Sequence, residues 1–173
     1  TDEIVAGFFQ EIRQNLTKYG FKHYEISNFS KPEFESRHNL AYWNDKSYIG
    51  LGPSASGYII SEADQNDFHG FRYTNKADLG KYYNDLDKRK IMPDKQILSK
   101  DDHQKEFIFL NLRKSDGFDL TTFYEKFNEN FPQKYKFILE KYLNLDLMEI
   151  YNNRVKLKPE AYFISNEIFS DFV

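Results

Sequence analysis

Residues 2–26 set the strongest limit on what this chain can fold into. Ile4, Val5, Phe8, Phe9, Ile12, Leu16 and Tyr19 recur at helical spacing behind Asp2, a side chain suited to capping a helix N-terminus. Gly20 then stops the helix, and Phe21 to Ile26 follows without a linker and reads as a strand. A helix, a one-residue glycine break and a strand make an αβ unit of the kind that builds parallel sheets and barrels. The apolar stripe of the helix is broad, so it is expected to pack against something extensive, most economically a sheet. Functional groups in such folds gather just past the carboxyl end of the strand, which directs attention to Glu25, Ser27 and Asn28.

The remaining chain divides at about residue 75. Residues 30–39 are polar and contain Pro32, hence a loop. Tyr48 to Leu51 and Ser56 to Ile60 are short strand candidates, Ser61 to Asp67 a polar surface turn, and Phe71 to Asn75 extended. From Lys76 the texture turns helical. Ala77 to Leu86 reads as a helix closed off by Ile91-Met92-Pro93, and Ser99 caps another with Phe107, Ile108, Leu110 and Leu112 on its core face. Leu120 to Phe127 gives a short helix. Pro132 opens the next, with Tyr135, Ile138, Leu139, Tyr142 and Leu143 on one face. Leu147–Tyr151 and Arg154–Leu157 form a hairpin about Asn152-Asn153, and Pro159 opens a last helix through Ile168. Three helices followed by a hairpin make a winged-helix pattern. The fold class is therefore α+β, with α/β character at the start: residues 1–75 as strands and rim, residues 76–173 as a mostly helical domain.

Charge bears on what that winged helix can do. Residues 119–158 carry seven Lys/Arg against six Asp/Glu, and the whole chain has a net charge of -3. Phosphate contacts dominate DNA affinity, so a near-neutral reading helix argues against a nucleic-acid partner. No apolar run approaches the roughly 20 residues needed to span a bilayer. The chain has no cysteine, which excludes disulfides and thiolate ligation within it and suits a cytoplasmic location. It opens at Thr1 without an initiator Met and enters a helix almost at once, so a piece of a longer protein is expected.

Candidate binding residues concentrate between Tyr24 and Tyr58, where Glu25, Ser27, Asn28, Arg37, His38 and Asn39 alternate with aromatics. That mixture suits a cavity lining that meets both polar and flat groups. Arg37 and Arg72 are the best candidates for a carboxylate, since a guanidinium fork meets it with two parallel hydrogen bonds. A structural pairing of Arg37 with Glu25 or Glu35 is the competing reading. Gly50-x-Gly52 is either a strand needing two small residues or a backbone edge against which a ring can lie. His23, His38, His69 and His103 share no metal-ligand spacing. A hydrogen-bonding role is expected for His38, and a surface position for His103.

Four blocks in order, Tyr-Glu-Ile-Ser-Asn-Phe, Ser-Arg-His-Asn-Leu-x-Tyr-Trp, Tyr-x-Gly-x-Gly-x-x-Ala and Arg72-x-x-Asn75, resemble the oxygen-independent coproporphyrinogen III oxidase family of radical S-adenosylmethionine proteins. Residues 21–75 match in detail and 76–173 in helix order and spacing. The resemblance implies the closing part of a partial (β/α) barrel followed by the family's C-terminal helical domain. It implies S-adenosylmethionine and a 4Fe-4S cluster in the whole protein, with cluster cysteines that this chain lacks, so the piece alone should be catalytically silent and carries neither catalytic nor metal-ligating residues. The missing N-terminal half of the barrel would be its partner.

By the same resemblance, Gly50, Gly52, Pro53, Ser54 and Ala55 would border the adenosylmethionine pocket. Glu25, Ser27, Asn28, Arg37, His38 and Asn39 would line the cavity beyond, with Arg72 and Asn75 tying the C-terminal domain across. The family's decarboxylases carry Asp-His-Phe where this chain has Ser27-Asn28-Phe29, a form that looks like the haem-binding chaperone subgroup. That subgroup usually has Gly-Ala-His where this chain has Ser54-Ala55-Ser56. Three readings follow: oxidative decarboxylation of coproporphyrinogen III propionates, haem binding and delivery without turnover, or a plain interaction domain.

Overall fold

The computed structural model describes residues 2–65, 68–88 and 93–173. In chain order the elements are α1 (Asp2–Lys18), β1 (Lys22–Glu25), β2 (Asn28–Ser30), α2 (Arg37–Trp43), β3 (Ser56–Gln65), β4 (Phe68–Thr74), α3 (Leu79–Asp87), β5 (Asp94–Leu98), α4 (Lys100–Leu112), β6 (Phe118–Asp119), α5 (Leu120–Phe127), α6 (Phe131–Lys134), α7 (Lys136–Asn144), β7 (Met148–Tyr151), β8 (Arg154–Leu157), a 3-10 turn (Pro159–Ile164) and α8 (Ser165–Phe172). The class is mixed α+β, as expected. Two compact units result, one from Thr1–Asn44 with Lys105–Val173 and one from Asp45–Gln104. The expected division at residue 75 runs in chain order, whereas these units interleave.

In the first unit the helix–glycine–strand start forms, but β1 pairs antiparallel with β2 in a local hairpin rather than with a parallel strand. Polar Ser27 and Asn28 after Ile26 allow the chain to reverse at once, and the pairing satisfies backbone groups that a parallel neighbour would otherwise take. On the other side Ile26 N donates to Arg113 O at 3.0 Å and Ser115 N to Tyr24 O at 3.1 Å. Among the described residues nothing covers the broad stripe of α1. Phe9 packs on the core, while Ile4, Val5, Phe8 and Ile12 are each more than half exposed.

The core of this unit is aromatic. Phe107, Phe118, Phe123, Phe127 and Phe131 are almost fully buried and meet mostly edge to face, as at Phe118–Phe131 (5.0 Å between centroids) and Phe107–Phe127 (5.4 Å). Each such side chain removes enough apolar area from water to stabilise the fold by roughly 1.5–3 kcal/mol. Local chemistry sets the surrounding elements. Asp119 caps α5 by accepting from Thr121 N (2.8 Å) and Thr122 N (3.2 Å), and Asn128 ends it in left-handed backbone. Asn130 caps α6, which carries Pro132 in its first turn. The β7–β8 hairpin turns through Asn152 and Asn153, both at positive φ, and β8 also pairs with β6. The expected last helix is split into the 3-10 turn and α8.

The second unit is a three-stranded antiparallel sheet, β3-β4-β5, with α3. Several expectations change here. Tyr48 to Leu51 is not a strand: Tyr48 makes a single bridge to Tyr58. The polar turn at Ser61–Asp67 gives way to a longer β3 running to Gln65, and 66–67 lie outside the described residues, as do Ile91 and Met92. β5 lies in the half expected to be helical. Asp94-Lys95-Gln96-Ile97 is exposed and only Leu98 is buried, so no alternation marks this strand, and pairing with β4 alone makes it extended. Asp78 caps α3, which starts two residues later than expected. Ser99 and Asp102 bond reciprocally at the start of α4, whose first residues belong to this unit and whose Phe107, Ile108 and Leu112 are buried in the other.

Candidate functional site

In the first unit the candidate residues fall into two groups. Glu25 is fully buried, and its carboxylate accepts from Ser27 N (3.3 Å) and from the Asn28 side-chain amide. The three residues therefore lock one another in the β1–β2 turn. His23, two residues before Glu25 on β1, lies stacked on Phe29 at 4.0 Å and donates Nε2–H to Ile26 O at 3.0 Å. Burial holds its imidazole below the ordinary pKa, so it is a neutral, packed ring.

Arg37 and His38 stand on α2 and are exposed. Among the described residues Arg37 makes no ion pair, so neither Glu25 nor Glu35 consumes its guanidinium. Among the described residues His38 makes no hydrogen bond, and its ring rests edge-on against Tyr42 at 4.8 Å. Asn39 is fixed at the helix start, where its N–H donates to Ser36 Oγ at 3.3 Å. α2 thus presents a free guanidinium and an oriented imidazole on successive residues.

In the second unit the glycine loop is held from inside. Gly50 N donates to Tyr73 Oη (2.9 Å) and Gly52 N to Tyr82 Oη (3.1 Å). The buried Asn75 donates from Nδ2 to both Gly50 O (3.2 Å) and Gly52 O (2.9 Å). A Cβ on Gly50 would meet Ser56 O at 2.3 Å, so that glycine is required by close approach of the chain to itself. Gly52 sits at φ 103 with open space beside its Cα. Ser54 N donates to Lys76 O (3.3 Å) and Ala55 N to Gly52 O (3.3 Å). The polar backbone atoms of Gly50–Ala55 are largely spent in folding the loop. What it shows outward is apolar: Ile49 is 70% and Leu51 85% exposed. Arg72 lies over the Tyr58 ring at 4.5 Å, and Asn75 positions the loop.

A group the sequence did not single out lies buried in the same unit. Asp45 accepts from Tyr58 Oη (2.8 Å) and from His103 Nε2 (2.8 Å), and His103 Nδ1 lies 3.3 Å from His69 Nδ1. All four side chains are buried, so His103 is a core residue and not the surface residue expected. With Nε2–H committed to the carboxylate, a neutral His103 accepts at Nδ1 from His69. The chain Tyr58–Asp45–His103–His69 joins residues up to 58 positions apart, and no local pattern announces it.

Comparison with known proteins gives this arrangement its context. Residues 98–164 match the HemN C-terminal domain. The heme chaperone HemW of Lactococcus lactis subsp. lactis (strain IL1403) is 32% identical over 168 residues, covering 97% of this chain and 42% of that protein. HemW of Bacillus subtilis (strain 168) is 30% identical over 170 residues, with the same coverage. The chain belongs to the HemN/HemW family of radical S-adenosylmethionine proteins. It spans 42% of the length of these HemW relatives. Among solved structures, the coproporphyrinogen III oxidase HemN of Escherichia coli superposes with a TM-score of 0.65 at 17% identity, covering 94% of this chain and 39% of that one, which is a likeness of fold. In this HemN/HemW chain no helix among the described residues is long and apolar enough to cross a membrane.

Proposed function

We propose that this chain is the C-terminal part of a haem-binding carrier of the HemW kind, working in the cytoplasm. One observation carries the choice of carrier over decarboxylase: the β1–β2 turn holds a hydroxyl and an amide at positions 27 and 28, with neither a carboxyl nor an imidazole at those two positions. Its Ser27 amide and Asn28 side chain are closed on Glu25, where the family's decarboxylases have Asp-His. The two HemW relatives, matched along 97% of this chain, support the same reading. Arg37 would take a propionate carboxylate through its guanidinium fork, and His38 would meet the tetrapyrrole beside it. The exposed stripe of α1 at Ile4, Val5, Phe8 and Ile12 would be covered by the preceding part of the barrel.

In the whole protein S-adenosylmethionine and a 4Fe-4S cluster would supply radical chemistry. This chain has no cysteine and offers the cluster no thiolate. Its fit to adenosylmethionine is that of a preformed edge. The open Cα face of Gly52 and the apolar flanks of Ile49 and Leu51 leave room for a flat ring, while Asn75, Tyr73 and Tyr82 hold Gly50–Ala55 in place.

Haem titration into the full-length protein tests the proposal. A saturable Soret shift is expected, weakened roughly tenfold or more in Arg37→Ala/His38→Ala. Release of carbon dioxide from coproporphyrinogen III by the cluster-loaded protein would establish the oxidase reading instead. No spectral change and no turnover would leave an interaction domain.

A further inference from the structure

A cleft of about 350 Å³ opens in the first unit, walled by Asn44, Asn111, Lys114, Thr122, Lys126 and Arg154. Lys114 is only 8% exposed, and its ammonium donates to a neutral partner, Asn44 Oδ1, at 2.6 Å. No carboxylate among the described residues lies within ion-pair reach of Nζ. An ammonium has three donors and a full charge, and burying it without a counter-ion is costly.

The carboxylates at the cleft are committed elsewhere. Asp116 pairs with Arg154, whose guanidinium also donates to Asp116 O and Gly117 O. Asp119 caps α5 and accepts from Asn153. Lys126 lies over the Phe107 ring at 5.5 Å. With both carboxylates engaged by other groups, the buried Lys114 ammonium keeps only its neutral Asn44 partner. Burial holds Lys114 below the ordinary lysine pKa, with the more distant Asp116 opposing that shift, as a charge without a close counter-ion should behave.

We infer that this cleft is a binding site for a single small carboxylate, received by the Lys114 ammonium. The volume admits a short aliphatic acid or one carboxylate arm of a larger molecule, and a single buried ammonium without a counter-ion favours a monoanion over a phosphate dianion. The site does not depend on the haem-carrier proposal, since none of its residues belongs to the β1–β2 turn or to α2's Arg37 and His38.

The test is a titration of the 173-residue chain with sodium propionate, followed by amide chemical shifts. Chloride and inorganic phosphate at matched ionic strength form the other arms. Saturable shifts at Lys114, Asn44, Asn111 and Thr122 are expected with propionate, at ~millimolar affinity. Lys114→Met should weaken that response at least tenfold. A second measurement needs no variant: the Lys114 ammonium titration, read by nitrogen NMR, should move upward when propionate is present. Shifts reproduced by chloride, tighter binding of phosphate than of propionate, or a Lys114 titration unmoved by propionate would each overturn the site.

Discussion

The two units of this chain are stabilised by different chemistry. The first rests on interlocked aromatic rings: Phe107, Phe118, Phe123, Phe127 and Phe131 share one apolar cluster, and the polar side chains around it work at helix ends and turns. Among its described residues the second buries few large apolar groups, chiefly Tyr58 and Leu98, and builds its interior around Asp45, His69, His103 and Asn75. An aromatic core gains from area and tolerates small displacements, because dispersion and hydration scale with contact. A polar interior is directional, since each buried donor or acceptor that loses its partner keeps its full desolvation cost. The candidate ligand-facing loop, Gly50–Ala55, belongs to the directional unit, where atoms are placed by hydrogen bonds at fixed distances.

That contrast can be broken most forcefully at its two centres. Phe123→Ala should destabilise the first unit by about 3–5 kcal/mol in urea unfolding, because five rings close on the site and cannot collapse into the cavity. A loss under about 1 kcal/mol would show that the cluster is loosely packed and the contrast overstated. Asp45→Ala should cost about 3 kcal/mol, through the stranded Tyr58 hydroxyl and His103 ring. If it proved neutral, the polar interior would be decoration on an apolar fold.

The first unit should also show a limit in alkali. Burial pushes the Tyr162 phenol up to about 12 from 10.0. The unfolded chain ionises first, so stability holds below pH 10 and falls between pH 10 and about 12, by at most about 2–3 kcal/mol. Tyr162→Phe should flatten that limb of the stability profile. The smallest effect expected is at the glycine loop. Asn75→Ala should cost about 1–2 kcal/mol by freeing the Gly50 and Gly52 carbonyls, and it should raise amide exchange across 50–55 while leaving the first unit's amides unchanged.

How far these features could be read from the sequence depended on their range along the chain. Asp119 before Leu120–Phe127, Pro132 after Asn130 and the Asn152-Asn153 turn act within a few residues, so their elements stand close to where the spacing puts them. β5 was invisible because its exposed residues carry no alternation. The strand after α1 was visible, but its choice of a hairpin partner was not, because Ser27 and Asn28 reveal their role only with Glu25 folded beneath them. At the candidate site the types of residue were apparent and their states were not. Arg37 had a salt bridge as its competing reading and stands free on α2, while Asn75, expected to tie the C-terminal domain across, spends its amide on two carbonyls.

By itself the sequence determined the local elements, the family's motif blocks and the absence of thiolates, because capping, turn formation and ligand chemistry are properties of single residues and their near neighbours. Only the tertiary structure decided which polar groups are already satisfied. His103 became a core residue through Asp45, Gly50 a packing necessity through Ser56, and Lys114 a buried charge facing a cleft through Asn44. Whether a buried donor or charge still needs a partner depends on atoms brought together from distant positions, and no short stretch of chain holds that information.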